Sequence, residues 1–355
     1  SCACHMQTIA PAIRGILGAP RGGCRYSSVV SAVPRPKYKQ SIGDIALRAS
    51  KEEAQDQVYN SGDPKFWAEI CAELYYHLKY QSPRNISLVL SSLARKQVKD
   101  AQLMDYVASR LNPAWLTVFN IQDLALLCNS YASMTHPAPQ LFQDCAEELL
   151  WKLPDATSQE LAVLASAYSK LRAYDATLYR HIAAQTLRQV EDITPRHAAN
   201  LLHAFARVSA PEPPKFLDAL AERVVMGVSE LNVIGVVHGA FAAGQAARQK
   251  KSAQNLLEAL TRRFVVLLRH DEQSVSPHHV AIMGRAFLQA GLRSQRAVDC
   301  LAEVLIANDG ETFKLAEAAN DGPQLQQLAE AARALMDTNS ASEDTQRRLE
   351  QSWRL

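Results

Sequence analysis

Apolar and small residues recur along this chain in a pattern that itself repeats. Six segments share a Leu-rich run, then small or polar residues, one bulky position and another small residue. They read LVLSSLARK, ALLCNSYASM, AVLASAYSKL, NLLHAFARV, GVVHGAFAAG and AIMGRAFLQAG. Their bulky positions are Leu93, Tyr131, Tyr168, Phe205, Phe241 and Phe287, spaced 38, 37, 37, 36 and 46 residues apart. Apolar or small residues stand seven, four and three positions before the anchors, save at His238, as in Leu124, Leu127, Cys128 and Tyr131, or Leu161, Leu164, Ala165 and Tyr168. That is the stripe of an amphipathic helix. A turn follows, often with proline (Pro137, Pro139, Pro211, Pro213, Pro214), and then a second stripe such as Leu141, Cys145, Leu149 or Leu178, Ile182, Leu187. The pattern predicts an all-α solenoid of tandem two-helix repeats, each about 37 residues long.

The repeats divide the chain. Residues 81–308 hold the six repeats, with an insertion around Arg269 to Pro277 before the last. Residues 44–80 read as an N-terminal helical cap repeat. Ile42 to Tyr59 and Phe66 to Tyr80 are its helices, with Asp63 as N-cap and Pro64 as the first helical residue. Turn or capping residues also stand between repeats, at Pro154-Asp155, Thr157-Ser158 and Thr194-Pro195. Residues 309–355 read as an acidic helical cap and tail. Residues 1–43 carry six basic residues (Arg14, Arg21, Arg25, Arg35, Lys37, Lys39), no acid, and Ser27, Ser28 and Ser31. That is the composition of an organellar targeting leader, or of an extended basic arm.

Charge and composition narrow the picture. The net charge of +2 is uneven, with 23 bases against 19 acids in residues 81–300 and five against ten in residues 301–355. A basic surplus on the central array suits a polyanionic partner. Seven cysteines form no metal-binding spacing and no disulfide framework; Cys128 and Cys145 fall at core positions. No apolar run is long enough to span a bilayer, so no membrane insertion is expected.

Candidate chemistry emerges from reading the repeats in register. Nine before, two before and two after each anchor share one helix face. They are Arg84, Ser91, Arg95; Gln122, Asn129, Ser133; Gln159, Ser166, Lys170; Arg196, His203, Arg207; Asn232, Gly239, Ala243; and His278, Arg285, Gln289. Sixteen of the eighteen are polar, six are Lys or Arg, and none is acidic. In a chain of nearly balanced charge, that excess is informative. Stacked first helices would align the side chains into a ladder that neutralises phosphates and hydrogen-bonds unpaired bases. The RNA-binding candidates are Arg84, Ser91, Arg95, Asn129, Ser133, Lys170, Arg196, His203, Arg207, Arg285 and Gln289. An ordinary solvated face is the alternative.

Motifs for catalysis are missing: there is no phosphate loop, dinucleotide fingerprint, HExxH or GxSxG. His278 and His279 are adjacent, so their side chains diverge on a helix and do not suit a shared metal. His238, three before Phe241, reads as a buried or groove-edge residue. The expectation is a protein with no catalytic centre, no cofactor, no metal and no small-molecule substrate.

The repeat period, the Leu-rich first helix and the NLLHAFARV-type segment resemble heptatricopeptide- and octotricopeptide-repeat proteins of organelles, relatives of the arrays in FAST-kinase-like and RAP-domain proteins. Pro64-Lys65-Phe66-Trp67 through His77-Leu78-Lys79-Tyr80, then Ser82-Pro83, is similar to the lead-in of such proteins. The resemblance covers about residues 60–305. It implies RNA binding in an organelle, the mitochondrial matrix rather than a plastid, within a mitoribosome or on ribosomal RNA, among other proteins of a large assembly. The family's C-terminal RAP domain is not recognisable in residues 301–355. A structural subunit of a mitochondrial membrane complex, holding protein rather than RNA, is the alternative.

Overall fold

The computed structural model describes residues 41–51, 63–211, 213, 215–270, 277–290 and 347. The expected leader, the second half of the first cap helix, the centre of the insertion and the acidic C-terminal cap lie outside the described residues.

Every described regular element is helical. The first helices of successive repeats are α1 (Ile42–Lys51), α3 (Pro83–Arg95), α6 (Ile121–Ser133), α8 (Ser158–Lys170), α10 (Pro195–Val208), α12 (Val233–Ala246) and α14 (Pro277–Ala290). Between them stand α2 (Pro64–His77), α4 (Ala101–Arg110), the single turn α5 (Pro113–Leu116), α7 (Pro139–Lys152), α9 (Ala176–Arg188), α11 (Phe216–Met226) and α13 (Lys251–His270). The result is an all-α array of tandem packed helix pairs. The helices fall into two compact units. The first ends at Ala156 and takes in Lys170–Leu178; the second holds Thr157–Ser169 and the described residues from Tyr179 onward.

Local chemistry sets each first helix. Side-chain oxygens of Ser82, Asn120, Thr194 and Asn232 accept from the backbone N–H of Asn85, Asp123, His197 and Gly235, at 2.8 to 3.3 Å. Thr157 and Glu160 form a reciprocal capping box, in which each backbone N–H donates to the other's side chain. Asp63 caps α2 as the sequence indicates, accepting from Lys65 N–H at 2.9 Å, with Pro64 as the first helical residue. Each cap satisfies a donor that the helix itself cannot.

Stop signals repeat as regularly. Gln97, Thr135, Arg172 and Ser209 all take φ of 51 to 56°, each four residues past its anchor. The next N–H reaches back to the anchor carbonyl, as in Val98 to Leu93, His136 to Tyr131 and Ala210 to Phe205, at 2.9 to 3.0 Å. The left-handed residue itself bonds the carbonyl of Ala94, Ala132 or Ala206. This is the Schellman arrangement, built here without glycine.

The caps correct the register of the fifth repeat. Ser82, Asn120, Thr157 and Thr194 stand eleven residues before Leu93, Tyr131, Tyr168 and Phe205. Eleven residues after Asn232 comes Ala243, not Phe241. Ala243 is buried, whereas Phe241 is only half-buried. Bulk misled the sequence alignment: the largest residue of α12 lies on its outer face, and a small one occupies the anchor. The face positions of this repeat are therefore Ile234, Phe241 and Gln245. Asn232 is the cap, and Gly239 and Ala243 are core.

Packing follows the small residues beside the anchors. In the first unit α3 packs against α1 and α6; in the second α12 packs against α10, α13 and α14. A Cβ on Gly244 would come within 2.7 Å of the Ala286 backbone, so glycine permits the close approach of α12 and α14. The anchor Tyr131 donates its hydroxyl to the Met104 carbonyl at 2.8 Å, and Tyr179 of α9 to the Ala165 carbonyl at 2.8 Å, so both rings are buried with their polar ends satisfied. Cys71, Cys128 and Cys145 are buried free thiols.

Candidate nucleic-acid interface

The first helices present one face of each to solvent, and the expected residues lie on it. Arg84, Arg95, Lys170, Arg196, Arg207 and Arg285 are exposed; Ser91, Asn129, Ser133, His203 and Gln289 are half-buried. Both Gln122 and Gln159 are exposed as well.

In the first unit the face is polar and internally bonded. Arg84 Nη1 donates to Gln122 Oε1 at 3.1 Å, joining equivalent positions of α3 and α6. The same nitrogen meets Asp123 Oδ1 at 3.4 Å. Asp123 is buried, and burial pushes its carboxyl above the ordinary range, an effect that the bond and charge of Arg84 oppose. The face is thus free of acid at the three chosen positions but carries one carboxylate directly beside them. Arg95 Nη1 reaches Ser50 Oγ on α1 at 3.5 Å. Arg84 and Arg95 are therefore oriented by the neighbouring helix.

In the second unit the position two before the anchor carries a ring on α10 and α12, His203 and Phe241. His203 and His238 stack in parallel, 4.1 Å apart and 2° from coplanar. Phe241 meets His203 edge-on at 5.1 Å. His238 Nδ1 lies 2.8 Å from Asn200 Oδ1, its counterpart on α10. These residues line a groove of about 220 Å³ across α10, α12 and α14. Arg207 and Ile234 complete its α10 and α12 walls, and His278, His279 and Ile282 its α14 side. Burial, then the charges of His238 and Arg207, hold His203 down to about 3. Burial, then Arg207 and His279, hold His238 down to about 4. Both imidazoles are neutral at physiological pH. His197 and His279 are also lowered, chiefly by burial.

The structure brings His203 and Arg207 together at this groove and keeps Arg84 and Arg95 in the first unit. Sequence reasoning missed Phe241, Ile234 and Gln245 as face residues, because the fifth repeat was registered two residues early. The cap spacing carried the signal that would have found them. His238 is the groove-edge residue the sequence suggested. Among the described residues no cluster of His, Cys, Asp or Glu has the geometry to hold a metal ion. Nor is any described helix long and apolar enough to cross a membrane.

Residues 64–236, just under half of the chain, match the model of a family described as RNA-editing substrate-binding complex 6 protein (RESC6). No curated protein matches the chain. The matched stretch runs from α2 into α12 and stops before Phe241. The similarity is to a component of an RNA-editing complex, where the resemblance to organellar helical-repeat proteins implies a mitoribosome.

Proposed function

We propose that this chain is a non-catalytic, RNA-associated subunit of a mitochondrial RNA-editing substrate-binding assembly, and that its first-helix face meets the RNA. The observation that carries this is the register of that face: six Lys or Arg and no acid at three positions per repeat, all six exposed. The similarity of residues 64–236 to the editing-complex family supports it, as does the resemblance to organellar helical-repeat RNA binders. Arg95, Lys170, Arg196, Arg207 and Arg285 neutralise phosphates in this account. Ser91, Asn129, Ser133 and Gln289 hydrogen-bond sugars or bases.

Exposed apolar side chains in each unit suit protein partners in the same assembly. Trp151, Met226 and Tyr80 are 84, 71 and 69% exposed on or just after second helices. Large apolar side chains in that state favour contact with another protein. If only these side chains make contacts, the chain is a scaffold that holds protein and leaves RNA to its partners.

Filter binding of single-stranded RNA across a salt series separates the two. Wild-type binding is expected to weaken steeply with salt. Replacing Arg95, Lys170 and Arg207 by Glu is expected to flatten the slope by about 2, at roughly 0.7 per phosphate contact on single strands. Unchanged binding in a folded triple variant would exclude the face as the RNA contact.

A further inference from the structure

We propose that the groove across α10, α12 and α14 holds a single unstacked base of a single-stranded RNA, stacked on the ring of Phe241 with the His203–His238 stack at its edge and Arg207 on an adjoining phosphate. The inference rests on the reading above that the first-helix face meets RNA, and it assigns the groove a chemistry different from the rest of that face.

Three observations carry it. The first is composition. The lining is aromatic, imidazole and aliphatic, with one described arginine and no carboxylate. A bound phosphate or sulfate alone would favour several cations and few rings, whereas a base needs flat π surfaces and a few polar edges. The second is size. At about 220 Å³ the groove is smaller than the roughly 300–1,000 Å³ of pockets that enclose drug-sized molecules. It suits one heterocyclic ring and not a whole dinucleotide cofactor. The third is register. His203 and Phe241 stand two before their anchors on α10 and α12, and Arg207 two after its own on α10. These are the positions that carry Ser91, Asn129, Arg95 and Ser133 elsewhere. An RNA that meets hydroxyls and amides at these positions on α3 and α6 meets rings at them on α10 and α12.

The groove is also preorganised. His203 is already stacked on His238, and His238 is held by Asn200. Their neutrality removes the charge that would otherwise favour a phosphate in place of a base. With Asn200 Oδ1 as acceptor, His238 carries its proton on Nδ1, which leaves Nε2 to accept from a base amine. Phe241 is half-buried, so its ring can be removed without opening the core.

The test uses the full chain and a short single-stranded RNA carrying one 2-aminopurine, with affinity read at several salt concentrations. Phe241→Ala is expected to weaken binding about ten-fold, in the range that removing one stacking platform produces, with the salt slope unchanged. Phe241→Tyr is expected to restore it. Arg95→Glu, which does not line the groove, is expected to flatten the slope and leave the 2-aminopurine quenching of the residual complex intact. Equal affinity and quenching for wild type and a folded Phe241→Ala variant would overturn the groove proposal while the RNA-binding face stands. Absence of any RNA binding by the wild-type chain would overturn both. Thermal melts of each variant confirm that the array is folded before either conclusion is drawn.

Discussion

The same helical register carries bases in both units, but rings only in the second. In the first, the face positions of α3 and α6 carry Arg84, Ser91, Arg95, Gln122, Asn129 and Ser133, linked by hydrogen bonds and one ion pair. In the second, the corresponding positions of α10 and α12 carry His203, Ile234 and Phe241 around a groove. The backbone is nearly the same in both: an N-cap, a helix of 13 or 14 residues and a small-residue interface. The repeat thus fixes where a side chain emerges but not what it does. Both units present three exposed bases on this face, and the second adds rings around a groove with a single described arginine.

Helix spacing is the first place to test that contrast. Gly244→Ala puts a methyl against the Ala286 backbone and is expected to destabilise the α12–α14 contact by about 1–3 kcal/mol, the usual cost of overpacking. Gly239→Ala meets only the end of the Leu260 side chain, which can turn aside, so the helix-propensity gain of about 1 kcal/mol offsets the strain. Hydrogen exchange on α12 and α14 amides reads both variants; equal effects would mean that backbone proximity is not what the glycine permits.

Ion pairing belongs to the first unit. Arg84→Met leaves the buried Asp123 carboxylate with less compensation and is expected to cost about 1–2 kcal/mol. Arg207→Met in the second unit has no such carboxylate among the described groove residues and is expected to be near neutral at pH 7, and stabilising only in acid, where Arg207 opposes protonation of two histidines. Urea unfolding followed by exchange at α6 and α10 measures the difference.

Acid should pull the units in opposite directions. Among the described residues, the histidines with lowered values all lie in the second unit. Below about pH 6.5 the unfolded chain takes up protons that folded His203 and His238 refuse, so local stability falls as pH drops toward 4. Each histidine contributes at most about 1.4 kcal/mol per pH unit in that window. The groups facing the pair are Arg207, His279 and Asn200. Asp123 behaves oppositely: its raised carboxyl favours the folded first unit as pH falls into the carboxylate range. Exchange protection of α10 and α12 should drop between pH 7.5 and 5.5, and His203→Gln with His238→Gln should shrink that drop.

The smallest effect concerns the stops. Ser209→Gly removes the strain of a left-handed serine, about 1–2 kcal/mol, but adds freedom to the unfolded chain. A net gain of about 0.5 kcal/mol is expected, seen as a modest rise in Tm. Ala247→Gly should give no gain, because Ala247 keeps right-handed geometry.

Much of this was legible in the sequence, for physical reasons that differ by element. The helix pairs were, because the 3.6-residue stripe and the prolines at helix starts leave a local trace. Asp63 and Thr157 were legible as starts because capping needs a short oxygen-bearing side chain. The left-handed stops were not, since Gln97, Thr135, Arg172 and Ser209 lack the glycine that usually announces them. Phe241 was misplaced because bulk was taken as burial. The polar face was found from spacing alone. The groove was not, because its walls come from three helices and only the cap spacing shows that His203 and Phe241 occupy equivalent positions.

The paired starts and stops also bear on how such a chain can change over evolutionary time. Each of α3, α6 and α10 is bounded by a cap and a left-handed stop encoded within its own few residues, so its length is set locally. Among the described residues no left-handed stop follows a second helix, and α13 runs for 20 residues where α11 runs for 11. Inserted sequence is thereby diverted into the second helices and the connectors. The face that carries the arginines and rings keeps its ruling, like the fixed divisions of a scale whose backing is free to lengthen.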